Sequence, residues 1–220
     1  MVSAIAMPQE RLHLTLFEPC QWIMVRRCVE WGSRMFGMCL HDVEKGFTDY
    51  GTVVEIQATE NFPGKKMVVQ AIPKQSFHVL SRGVVDGCPV AKVKWLEDSK
   101  IEDSETIVHL KWRNSMSHVM LKRWVARLPL DEKACIERAL GPIPPCDSHM
   151  LLAPHGPPWV WWAMAAIPLQ SQEKLRILVM PNVADRLQSI QKSLDSLLQS
   201  KKDRKPSDAN EMKCTAPCTS

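Results

Sequence analysis

Two rhythms of apolar residues divide the chain near residue 98. Before that point the period is short. Residues 12–17, Leu-His-Leu-Thr-Leu-Phe, alternate apolar and polar as a half-buried strand does. Glu18-Pro19 then opens a helix, because proline suits the first helical position and Glu18 places negative charge at the positive end of the dipole. Over residues 20–31 the spacing predicts an apolar face of Met24, Cys28 and Trp31. Arg26, Arg27 and Glu30 take the wetter side, with Arg26 and Glu30 paired at i, i+4, and Gly32 stops the helix. Residues 36–40 read as a strand. Further strands are predicted at 51–58, 67–72, 75–82 and 89–97, with turns at Asn61-Phe62-Pro63-Gly64 and Asp86-Gly87. Short strands with no long crossover helix between them predict an antiparallel sheet, rolled or barrel-like, and argue against a parallel one.

After residue 98 the period lengthens. Residues 99–105 form a polar junction in which Ser104 caps a long helix and Glu105 sits in its first turn. Val108, Trp112, Met116 and Val119 recur along that helix as its predicted apolar face, and Leu121, Trp124 and Leu128 continue on a shifted one. A second helix over 131–140 ends at Gly141-Pro142. The proline-rich stretch 141–158 reads as a loop, mobile at 148–155. The next helix, 157–167, carries Trp159, Trp161 and Trp162 between prolines, and an aromatic stripe at helical spacing predicts a core helix. A short helix follows at 171–180. The last starts after Pro181, capped by Asn182. Its narrow seam of Val183, Leu187, Ile190, Leu194 and Leu197 suits packing on its own domain better than a coiled coil with a partner. Beyond residue 200 the chain is polar and lysine-rich, the composition of a disordered tail. Strands first and helices afterwards make an α+β protein: a β-rich subdomain over 5–98, a helical subdomain over 99–200 and a tail over 201–220.

Composition narrows the function. The 220 residues are 45% hydrophobic and 24% charged, ordinary for a soluble globular protein. A net charge of +4 is too small to imply a nucleic-acid partner, and no run approaches the ~20 apolar residues of a membrane span. Residues 1–8 lack the basic and apolar regions of a signal peptide, which predicts a cytoplasmic or nuclear protein with reduced thiols. The eight cysteines, at 20, 28, 39, 88, 135, 146, 214 and 218, form no C-x2-C pair. Cys28 and Cys39 read as small buried hydrophobes, and Cys214 and Cys218 as free thiols in the tail.

Catalytic patterns are missing. There is no phosphate-cradling glycine loop, no G-x-S-x-G elbow and no H-E-x-x-H pair. The histidines at 13, 41, 78, 109, 118, 149 and 155 show no ligand spacing, and His109 and His118 fall on opposite sides of the long helix. Glu97, Asp98, Glu102, Asp103 and Glu105 read as a solvated junction, and Arg26-Arg27 as a solvated helix face. A His, Cys and carboxylate triad assembled only in space lies beyond the reach of spacing. No catalytic, cofactor-binding or metal residue is assigned, and no cofactor is predicted.

An ordered set of short motifs resembles a known family. Leu16-Phe17-Glu18-Pro19, Arg26-Arg27-Cys28 and Phe36-Gly37-Met38-Cys39-Leu40 are similar to the start of the Lon protease N-terminal, substrate-binding, domain. Tyr50-Gly51, Glu55-Ile56, Phe77 and Leu96-Glu97-Asp98 continue the likeness. Gly156-Pro157, Trp159, Trp161-Trp162, Pro168-Leu169, Leu175, Ile177-Leu178 and Arg186-Leu187 complete it. Within that family the chain most resembles the C-terminal Lon-like domain of LON peptidase N-terminal domain and RING finger proteins, over about residues 5–198.

The resemblance implies a β-rich, PUA-like barrel followed by a helical bundle, and a part in recognising substrate polypeptides. It also implies a first strand longer than the one here. Cys20-Gln21, Pro73 and Ser76 replace the family's Arg-Tyr, Gly and Arg. The function expected is a non-catalytic module that binds unfolded or specific client polypeptides through exposed apolar or edge-strand surface near a groove between the subdomains. It would serve protein quality control or ubiquitin-dependent turnover, with ubiquitination machinery among its possible partners. The alternative is the substrate-binding part of a RING-type ubiquitin ligase whose RING lies outside this sequence. RNA binding, known for PUA-like folds, is disfavoured by the small charge.

Overall fold

The computed structural model describes residues 5–200 apart from Gln9, Gly64, Lys65, Lys100 and Glu102. The expected tail at 201–220, with Cys214 and Cys218, lies outside the described residues, as do Glu102 of the acidic junction and Gly64 of the predicted turn.

Strands β1 (Leu12–Leu16), β2 (Met35–Asp42), β3 (Gly46–Phe62), β4 (Lys66–Val85) and β5 (Cys88–Trp95) form one antiparallel sheet. β3 pairs along one side of β4. β1 and β5 share its other side, β1 against Met67 to Ala71 and β5 against Phe77 to Val85. β2 lies outside β3. The strands expected at 67–72 and 75–82 are therefore one. Proline has no N–H to donate to a ladder and is confined to edges and bulges. Pro73 meets this condition because it stands opposite Val54, where the register slips between Thr52 and Val54. The Asp86-Gly87 turn has both residues at positive φ, 50° and 74°, as a two-residue hairpin matched to strand twist requires. Gly51 is needed for another reason. A Cβ there would overlap the Met38 carbonyl and sit 2.8 Å from Phe77 Cζ.

Helix α1 (Pro19–Glu30) covers one face of this sheet. Its Val25 packs on Leu14, Leu16, Phe36, Met38, Val54, Ile56, Val69 and Ala71 of the strands, while Phe47, Val53, Phe77 and Val79 form a second apolar cluster.

The described residues fall into two packing units. The first runs to Ser99 and takes in Pro168–Asn182; the second holds residues 101–167 and those from Val183 on. Helix α5 (Ser171–Leu178) thus belongs with the strands. Ile177 and Leu178 are buried, Lys174 faces Glu10, and Ser99 N–H donates to the Pro181 carbonyl at 2.7 Å.

In the second unit, α2 (Ser104–Ala126) is capped by Asp103 rather than Ser104. The Asp103 carboxylate accepts from the Thr106 amide at 2.7 Å. Adjacent Asp and Ser are both good caps, and Asp103 takes the role because its own carbonyl already accepts the first helical bond, from the Ile107 amide, which leaves Ser104 inside the helix. The face of α2 also departs from expectation. Leu110, Asn114, Ser117, His118, Leu121, Trp124 and Val125 are buried, whereas Val108, Trp112, Met116 and Val119 are exposed. The buried set repeats at four, three, four and three and meets α6 (Val183–Ser200), whose Val183, Leu187, Ile190 and Leu194 are fully covered. A polarity scale misses this face because Asn114, Ser117 and His118 interrupt it.

Helix α3 (Leu130–Leu140) ends at Gly141, φ 75°. The stretch expected to be mobile contains a 3-10 turn, Ser148–Leu152, capped by the Asp147 carboxylate and anchored by buried Leu151. Helix α4 (Pro158–Ala166) is buried from Trp159 through Met164. Each indole N–H has an acceptor. Trp159 donates to Asn114 Oδ1 at 2.9 Å, Trp161 to the His155 carbonyl at 2.7 Å, and Trp162 to the Gly141 carbonyl at 3.1 Å. Buried Arg186 lays its guanidinium 4.9 Å from the Trp161 ring. Among the described residues no helix is long and apolar enough to cross a membrane.

Candidate polypeptide-binding groove

Helix α1 is held to the sheet by contacts spread over its length. Pro19 at its first position presets the backbone, and Val25 plugs into the core. Trp22 Nε1–H donates to the Leu16 carbonyl at 3.0 Å, and the Cys28 thiol donates to the Met35 carbonyl at 3.1 Å. The Cys88 thiol, at the start of β5, donates to the Cys20 carbonyl at 2.7 Å. Arg27 pairs with Asp86 in the β4–β5 turn. Met24 and Cys28 pack on the core as expected, but Trp31 is 77% exposed and lies under the Arg27 guanidinium, 5.9 Å away. Trp22 and Val25 take the inward positions in its place.

Seated in this way, α1 leaves an open groove along its other flank. The space measures about 580 Å³. Pro19, Trp22, Ile23, Val25, Arg26, Val29 and Glu30 line it from the helix, and Thr59, Asn61 and Met67 face them from the sheet. The antiparallel register builds that second wall. Thr59 and Asn61 are two apart on β3, and Asn61 stands opposite Met67 of β4. The walls are mostly apolar, and Ile23 and Val29 remain exposed. Polar groups sit at the margin. Arg26 Nε donates to Glu30 Oε1 at 2.6 Å in a solvent-exposed pair that adds little stability, and its methylene stem extends the apolar wall. The groove's volume lies in the ~300–1,000 Å³ range of ligand clefts, with mostly apolar walls and few polar groups.

Reactive groups elsewhere are placed for packing. Burial pushes the Cys39 thiol up to about 11, against the opposing pull of Arg82. Burial also raises the Cys28 thiol, and burial together with the neighbouring Cys20 thiol raises that of Cys88. Around α4 the fold gathers a Cys, a His and an Asn. There Asn114 Nδ2–H donates to Cys146 Sγ at 3.0 Å, and His118 Nε2 meets the Pro144 carbonyl at 3.0 Å while its ring packs edge-on against Trp159. Burial raises the Cys146 thiol and lowers the His118 imidazole, so both favour their neutral forms. His109 is exposed on the opposite side of α2. The described residues contain no group of three or more His, Cys, Asp or Glu able to hold a metal ion.

No single residue of the groove stands out in the sequence. Its signal is an excess: α1 carries Ile23 and Val29 in addition to the apolar residues that cover the sheet.

An antiparallel sheet followed by helices is the fold of Lon N-terminal domains. The chain superposes on the Lon N-terminal domain protein of Xanthomonas campestris with a TM-score of 0.55 at 22% identity, covering 90% of this chain and 94% of that one. It superposes on the N-terminal domain of the Mycobacterium avium complex Lon protease with a TM-score of 0.60 at 13% identity, covering 88% and 94%. Sequence makes the assignment specific. Residues 1–196 match the ATP-dependent protease La (LON) substrate-binding domain, and the chain belongs to that family.

Proposed function

We propose that this chain is a polypeptide-recognition module that takes extended, apolar segments of client proteins into the groove beside α1. The observation that carries the reading is the half-open apolar trough between Ile23 and Val29 on one wall and Met67 on the other, on a helix fixed to its sheet. Membership of a substrate-binding family supports it. The binding would be driven by burial of client side chains and oriented by Arg26, Glu30 and Asn61. Chemistry on the client would come from other modules, in protein quality control or ubiquitin-dependent turnover.

Fluorescence anisotropy with a labelled, carboxymethylated and therefore permanently unfolded protein tests the reading. Ile23→Ser combined with Val29→Ser removes two exposed contacts and is expected to weaken binding about tenfold, the size of a modest hot spot. Unchanged affinity in a folded double variant contradicts it.

A narrower form of the same reading makes the chain the client-selecting part of a RING-type ubiquitin ligase. Its support is the ordered motif set shared with the RING-linked Lon-like domains. On this reading the isolated chain shows no autoubiquitination with E1 and E2 but lowers the client concentration needed once joined to a RING module. Equal client turnover with and without the chain would contradict it.

A further inference from the structure

Helix α2 has two apolar faces, and its own unit uses one. The second, Val108, Trp112, Met116 and Val119, is 66, 60, 39 and 51% exposed. At spacings of four, four and three these residues form one stripe about 16 Å long. A tryptophan exposed among three aliphatic side chains is the composition of an interface centre.

The margins of the stripe say what would cover it. On a 3.6-residue period Lys111 and Lys122 fall along one edge, His109 and Arg113 along the other, and Arg123 one turn beyond Val119. Glu105, in the first turn, is the one acidic residue of α2. Among the described residues Lys111, Arg113, Lys122 and Arg123 make no ion pair. The arrangement argues against a second copy of this chain. An antiparallel pair of α2 helices sets like edge against like edge, and a parallel pair sets the lysine edge against the His109 and Arg113 edge. Both bring cations together. The sequence beyond residue 200 is lysine-rich and has no apolar period to lay on the stripe.

We infer that the outer face of α2 docks an acidic amphipathic helix of a partner protein, with apolar residues at i, i+4 and i+7 against Trp112 and carboxylates on both flanks opposite the cationic edges. This surface is separate from the groove beside α1 and does not depend on client binding there.

The test uses two labelled peptides of about 18 residues, long enough to cover the stripe. Both carry leucine at the helical a and d positions; one has glutamate and the other lysine at the flanking positions. With the full chain the acidic peptide is expected to bind about tenfold or more tightly than the basic one, and to weaken as salt is raised. Trp112→Ser with Val119→Ser, both surface positions, leaves the melting temperature unchanged and weakens the acidic peptide about tenfold. Lys111→Glu with Lys122→Glu inverts the preference, while Ile23→Ser with Val29→Ser changes nothing. Equal binding of the two peptides, binding of neither, or loss of binding only in the groove variant overturns the inference.

Discussion

Asn114 ties α2 to α4 and to the segment that precedes it. It is fully buried, accepts from the Trp159 indole and donates to the Cys146 sulfur, so both ends of its amide are used. Asn114→Ala leaves a buried indole N–H without a partner and is expected to cost about 1–3 kcal/mol in urea unfolding. Trp162→Ala removes a buried aromatic and its bond to the Gly141 carbonyl, and its expected cost is larger, about 3–5 kcal/mol. His118 supplies a pH dependence. Burial depresses its imidazole below the ordinary value, so the unfolded chain binds the proton more readily than the folded one. Its contribution is present above about pH 6.5 and is lost as pH falls through the depressed folded value. The urea midpoint should therefore fall between about pH 7.5 and about pH 5, with a smaller fall in His118→Gln. A steeper fall in the variant would contradict this.

The elements were legible where one residue type has one structural use. Glu18-Pro19 opens α1, Asp86-Gly87 turns β4 into β5, Gly141 stops α3, and the seam of α6 packs inward. The reading failed where two solutions satisfy the same pattern. α2 offers two stripes of helical period, and tertiary packing chose the one holding Asn114 and His118, whose polar groups find partners inside. Pro73 reads as a break until β3 supplies an irregular register opposite it. The groove was harder still, because α1 and the β3–β4 ends are far apart in sequence and meet only through strand register and the packing of α1 on the sheet. Gly51→Ala tests the sheet. The added methyl collides with a backbone carbonyl, which cannot move as a side chain does, so destabilisation should reach the upper part of the ~1–3 kcal/mol range for overpacking. A thermal melt within a degree or so of the parent would contradict it.

Taken together, a sheet that seats α1 and a helical unit with its own core give a family member of the Lon substrate-binding type with a groove on the first unit and an exposed stripe on the second. The central claim is that clients enter the groove. Nitrogen-15 spectra of the chain, recorded as the carboxymethylated protein is added, locate the contact without altering any residue. The predicted result is a contiguous set of shifted amides in residues 20–30, 59–61 and 67, saturating with the anisotropy curve. Shifts that leave α1 unmoved and gather on α2 or the β4–β5 hairpin would contradict the claim.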